Sequence, residues 1–93
     1  MKVVFSRPAL AELDNIFACI SADNPEAAER VVTRINTMVG RLELFPHLGR
    51  VKYKRVRMLP VPGLPYLIFY SIDADEVRVT SVRHSARRSR KPT

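Results

Sequence analysis

The run 65–72, Pro-Tyr-Leu-Ile-Phe-Tyr-Ser-Ile, constrains this chain more than any other stretch: a proline opens it and no charge interrupts it. Aromatic and branched apolar residues dominate, which is the composition of a strand. Alternation sends Tyr66, Ile68, Tyr70 and Ile72 to one face and Leu67, Phe69 and Ser71 to the other. A strand apolar on both faces belongs at the centre of a sheet, with helices over one face and a second cover over the other. The rest of the chain must supply those helices and the neighbouring strands. What covers the second face is the functional question.

The helices are legible upstream. Lys2-Val3-Val4-Phe5 reads as a short strand, followed by Ser6 as an N-cap and Pro8 in the first helical turn. Ala9, Leu13, Ile16, Phe17 and Ile20 then fall on one helical stripe, with Glu12, Asp14, Asn15 and Ala18 off it. Asn24 caps a second helix opened by Pro25 and Glu26. Its stripe is Ala27, Ala28, Val31, Ile35, Met38, Leu42 and Phe45, over about five turns. Glu26 and Arg30 are spaced for an i,i+4 pair, and Gly40 lies opposite the stripe. The short link between the helices makes them an antiparallel hairpin.

Downstream, Pro46 and Gly49 end the helix, and a basic segment merges into a strand at about 54–60. Pro60, Pro62 and Gly63 make that strand short, bulged or peripheral. The polar turn Asp73-Ala74-Asp75-Glu76 separates the apolar run from a last alternating strand over 77–84. The order β-α-α-β-β-β predicts an α+β fold: an antiparallel sheet with an N-terminal helical hairpin packed on one face and the first strand at an edge. One domain over residues 1–86 and a basic tail over 87–93 account for the chain.

The 93 residues carry a formal net charge of +7, from 16 basic and 9 acidic side chains. Arg50, Lys52, Lys54, Arg55 and Arg57 form one acid-free cluster, and Arg83, Arg87, Arg88, Arg90 and Lys91 another. Outside these clusters acids outnumber bases. Positive charge concentrated in this way predicts a polyanionic or acidic partner. The single cysteine, Cys19, excludes an internal disulfide framework and fits a reducing compartment. No stretch approaches the roughly 20 apolar residues of a membrane span. The start runs directly into domain-like sequence, which predicts no leader and a cytoplasmic protein.

Candidate chemistry is sparse. A Gly-rich phosphate loop, a metal-ligand cluster and a nucleophile elbow are all missing from the motifs, so no cofactor and no metal are expected. His47 belongs to a turn. His84 ends a strand beside Arg83, where it suits a cap, a partner contact, or a base for RNA cleavage with arginines stabilising the transition state. Tyr66 and Tyr70 have the spacing either to fill the edge of a core or to stack on bases. Arg55, Arg57 and Arg83, with Arg50, Lys52 and Lys54, are candidates for one patch contacting phosphate or carboxylate.

Several stretches in order resemble the RelE/ParE superfamily of type II toxin–antitoxin toxins, and the ParE branch in particular. They are Ala11-Glu12-Leu13-Asp14-Asn15-Ile16, Asp23-Asn24-Pro25-Glu26-Ala27-Ala28, the run Leu42-Glu43-Leu44-Phe45-Pro46-His47-Leu48-Gly49-Arg50, Arg57-Met58-Leu59-Pro60-Val61 and Pro65-Tyr66-Leu67-Ile68-Phe69-Tyr70. Residues 77–82 with His84 and Arg87 complete the pattern. The resemblance implies a toxin neutralised by a cognate antitoxin with an acidic, partly disordered toxin-binding segment, in a hetero-oligomer away from membranes. In the ParE branch the implied target is DNA gyrase, with Arg50, Lys52, Lys54, Arg55, Arg57, Arg83, Arg87 and Arg88 as candidate contacts. The RelE-like alternative is a ribosome-dependent mRNA endonuclease using Arg55, Arg57, Arg83 and His84. No tyrosine follows Tyr70 and no acid follows Glu76, which departs from the nuclease pattern. A second alternative is an inactive, toxin-derived binding module. Tyr66, Tyr70, Arg57 and Arg83 are the candidate antitoxin contacts.

Overall fold

The computed structural model describes residues 1–88, with side chains from Met1 to Ala86. The basic residues Arg90 and Lys91, and the side chains of Arg87 and Arg88, lie outside the described residues. In chain order the elements are β1 (Lys2–Phe5), α1 (Arg7–Ser21), α2 (Pro25–Arg41), β2 (Arg50–Tyr53), β3 (Val56–Pro60), β4 (Tyr66–Asp73), β5 (Glu76–His84) and a single turn, α3 (Ser85–Arg88).

Both long helices begin where their capping residues dictate. Ser6 Oγ accepts the Ala9 N–H at 3.1 Å, and Asn24 Oδ1 accepts the Ala27 N–H at 3.1 Å. Each bond satisfies one of the donors that a helix start leaves without an intrahelical partner. The Ser6 N–H also donates to the Val79 carbonyl at 2.9 Å, so the start of α1 is tied to β5.

The sheet runs β1-β5-β4-β3-β2, with β4 in the middle and β1 at an edge. The α+β architecture and the helical hairpin on one face are as the sequence predicts. Two details differ. The basic segment 50–57 is a hairpin of two strands, so the sheet has five strands rather than four. Its turn is made by Lys54 at φ 52°, a left-handed conformation that a glycine or asparagine would have signalled and a lysine does not. The sheet is also mixed, because β1 pairs parallel with β5 while the other pairs are antiparallel. Most of the chain lies between β1 and β5, so no tight turn forces them antiparallel.

The core lies between this sheet and the helices. Ala9 of α1, Ile35, Met38 and Val39 of α2 and its C-cap Leu42 pack on Leu59, Val61, Ile68, Tyr70, Val77, Val79 and Val82. Full burial of Ile35 alone contributes about 1.5–3 kcal/mol over leaving it in water. Two expected stripe members are exposed instead of buried: Phe17 is 40% exposed and Phe45 is 59% exposed. At a helical period Phe17 falls roughly 70° from the centre of its stripe, at the rim. Phe45 is not on a helix at all, because α2 ends at Arg41.

A bulge in β5 sets the orientation of everything after it. Phe69 pairs with Ser81 and Tyr70 with Val79, leaving Thr80 as the extra residue. Val79 and Val82 therefore both face the helices, while Ser81 and Arg83 turn to the opposite face.

Candidate functional site

Two regions gather the candidate residues. The first is the sheet face away from the helices, where register places Arg50 beside Met58, Met58 beside Phe69, Phe69 beside Ser81, and Leu67 beside Arg83. Leu67 is 7% exposed, Phe69 and Met58 are half-buried, and the α1–α2 hairpin lies on the other side. The Arg83 guanidinium carbon sits 5.6 Å from the centre of the Phe69 ring, a cation–π distance.

The second region is the hairpin of β2 and β3. Arg50, Lys52, Lys54 and Arg55 are all exposed, and Tyr53 between them is 64% exposed. The Lys54 ammonium lies 5.4 Å from the Tyr53 ring centre. Among the described residues the ion pair is Arg78 with Glu76 on β5, so no described acid neutralises the hairpin. Such a prong offers positive charge and an aromatic face together. The aromatic signal, Tyr53 alternating with Lys52 and Lys54, is present in the sequence and was not among the expected contacts.

The expected patch of Arg55, Arg57 and Arg83 is not brought together. Arg55 is in the hairpin turn. Arg57 stands opposite Tyr70 on the helix side, and its Nη1 donates to the Gly49 carbonyl at 2.7 Å. Arg83 is on the other face. His84 pairs with Tyr66, the two rings 5.3 Å apart and nearly perpendicular, and its Nδ1 accepts the Ala86 N–H at 3.1 Å. Arg57 and His84 thus point to one side of the sheet and Arg83 to the other.

Tyr66 and Tyr70, expected on the face open to an antitoxin, belong to the helix side. Tyr66 packs against the core, and Tyr70 is 0% exposed. The Tyr70 hydroxyl donates to the Pro46 carbonyl at 2.8 Å and accepts the Gly49 N–H at 2.8 Å. Burial pushes this phenol above its usual value of 10.0, against the Gly49 bond and the Arg57 charge, which both favour the phenolate. A Cβ on Gly49 would lie 2.8 Å from the Met58 carbonyl oxygen and 2.9 Å from Tyr70, so only glycine fits. Pro46, Gly49, Arg57 and Tyr70 form a clamp that holds the α2–β2 connection against the sheet. The face away from the helices is the one of Leu67 and Phe69, and strand alternation alone could not say which of the two faces the helices would take.

Among the described residues no group of histidine, cysteine or acidic side chains is placed to hold a metal ion. Among the described residues no helix is long and apolar enough to cross a membrane.

The chain is thus a helical hairpin on one face of a five-stranded sheet, with a basic edge hairpin and an arginine-bearing second face. The family model described as ParE toxin of type II toxin–antitoxin system, parDE, matches residues 3–89, and the chain belongs to this family. The chain is 44% identical over 78 residues to the toxin-named protein Y4kP of Sinorhizobium fredii, covering 83% of this chain and 80% of that protein. It is 35% identical over 86 residues to Toxin RelE2 of Caulobacter vibrioides, covering 92% and 97% respectively. A structure described as the chromosomal ParDE TA system from P. aeruginosa has the same fold, with a TM-score of 0.80 at 24% identity, covering 90% of this chain and 95% of that one. The chain is therefore a type II toxin of the RelE/ParE superfamily.

Proposed function

We propose that this toxin arrests growth by binding and poisoning DNA gyrase in the cytoplasm, and that a cognate antitoxin with an acidic segment neutralises it in a hetero-oligomer. One observation carries this reading: the cations are displayed for contact and are not assembled around a reacting centre. Arg50, Lys52, Lys54 and Arg55 are exposed on an edge hairpin. The four residues that RNA cleavage would need, Arg55, Arg57, Arg83 and His84, are divided between a turn and two opposite sheet faces. A general base must come within hydrogen-bond reach of its proton, with the stabilising cations around the same phosphate. That separation supports binding over catalysis.

The similarity to a protein named Toxin RelE2 keeps mRNA cleavage as the result to test against. Purified toxin is added to gyrase in a supercoiling assay, and ribosome-associated mRNA is followed after induced expression. Inhibited supercoiling with intact mRNA is expected, and replacement of Lys52, Lys54 and Arg55 together by Ala should relieve it. Normal supercoiling with cleaved mRNA would overturn the reading in favour of the nuclease. Growth unaffected by expression without antitoxin would leave only the inactive binding module.

A further inference from the structure

Glu12 is an acid on the first helix of a basic protein, with no place in the apolar stripe. Its location is set by where β1 stops. Pairing of β1 with β5 ends at Phe5 and Val79, so the outer edge of β5 beyond that point is met by α1 rather than by a strand. There Glu12 Oε1 accepts two hydrogen bonds, from the Val82 N–H at 2.9 Å and from the Ser81 hydroxyl at 2.8 Å. Ser81 is 8% exposed, the one polar residue in the buried set among the described residues.

A hydroxyl has a single proton, and Ser81 gives it to Glu12. Toward Arg83 the Ser81 oxygen can therefore only accept, and it accepts the Arg83 Nε–H at 2.9 Å. Donation to a carboxylate strengthens the same oxygen as an acceptor. Arg83 is thus held at Nε by Ser81, with its guanidinium carbon over the Phe69 ring. Its two terminal nitrogens have no partner among the described residues. That is the end of the guanidinium that grips a carboxylate with two parallel hydrogen bonds.

We propose that Glu12 is a positioning residue for partner binding: through Ser81 it presets Arg83 over Phe69 as a fork for a carboxylate in the acidic segment of the antitoxin. This rests on the antitoxin pairing proposed above. The occupant follows from charge and shape. The surface belongs to a chain of net charge +7, and the half-buried apolar residues beside the fork, Phe69 and Met58, suit a peptide that alternates acidic and apolar side chains. A preset arginine loses less rotamer freedom on binding than a free one, so the relay strengthens the contact without touching the partner.

The sign of one result separates this from general electrostatics. Glu12→Ala and Glu12→Gln both raise the net charge from +7 to +8, so attraction alone predicts tighter binding of an acidic partner for both. With the relay, Glu12→Gln keeps an oxygen that accepts both bonds and stays near wild type, while Glu12→Ala weakens binding about five- to tenfold. Ser81→Ala leaves the charge and the Glu12–Val82 bond in place and weakens binding by a similar factor. The probe is the protein encoded by the reading frame adjoining this gene, titrated calorimetrically, with melting curves to show that each variant is folded. In an Arg83→Ala background neither Glu12→Ala nor Ser81→Ala should change affinity further. Equal affinities for Glu12→Ala and Glu12→Gln, an unchanged Ser81→Ala, or additive losses in the Arg83→Ala background overturn the relay. If the wild-type chain does not bind the probe at all, the antitoxin pairing fails and the relay with it. If these variants weaken binding of a single-stranded oligonucleotide and leave the probe complex unchanged, Arg83 faces a nucleic acid and the assignment is wrong.

Discussion

Replacing Tyr70 by Phe tests the clamp with almost no change of shape. The ring stays, so no cavity forms; only the hydroxyl is lost. The Gly49 N–H, in a buried residue, loses its acceptor, and the Pro46 carbonyl loses a donor. A buried donor left without a partner costs about 1–3 kcal/mol, and a carbonyl that keeps access to other donors costs less. The sum expected is about 2–3 kcal/mol, a large share of the roughly 5–15 kcal/mol that stabilises a domain. Urea unfolding followed by circular dichroism should show a lower midpoint with an unchanged slope. Gly49→Ala should cost at least as much, because its Cβ meets the Met58 backbone oxygen at 2.8 Å, an atom that cannot rotate away. A loss under about 0.5 kcal/mol for Tyr70→Phe would show that Gly49 finds another acceptor, and the clamp would not be what holds the α2–β2 connection.

Three further outcomes follow from the same structure. Because burial raises the folded-state pKa of Tyr70 above 10.0, its contribution is fully present below the unfolded value and lost as pH rises through the folded one. Wild-type stability should therefore fall in alkali above pH 10.0 more steeply than that of Tyr70→Phe, read from denaturation midpoints across that range. Gly40 is exposed within α2 and a Cβ there meets nothing within 4 Å, so Gly40→Ala should stabilise the protein by about 0.5–1 kcal/mol. Asn24→Ala removes the side-chain acceptor of the Ala27 N–H and should cost about 1 kcal/mol, measured in the same urea experiment.

The helices and the central strand were legible because their signals are local. Ser6, Pro8, Asn24 and Pro25 mark helix starts by what they do to the nearest backbone, and the 65–72 run has the composition of a strand wherever it is placed. Family membership was legible too, as several short motifs in a fixed order. The candidate site was legible only as a composition. The basic residues of 50–57 and Arg83 were visible, but not their separation onto a hairpin turn and two faces.

What escaped the sequence has a common origin. The turn at Lys54 depends on a backbone conformation that lysine does not advertise. The bulge at Thr80 exchanges the faces of the residues after it, sending Arg83 to the open side and His84 to the helix side; period-two alternation carries no mark of one inserted residue. Glu12 meets Ser81 and Val82 across separations of 69 and 70 residues, where no spacing rule applies. Tyr70 reads as a half-exposed aromatic and is the buried bolt of a clamp. The sequence alone determined that residues 65–72 would be the centre of a sheet under a helical hairpin, because hydrophobicity and capping act over a few residues. Which face of that strand the helices would take, and so which face remains for a partner, was decided only by the tertiary structure, because face assignment depends on bulges, register and contacts between residues far apart in the chain.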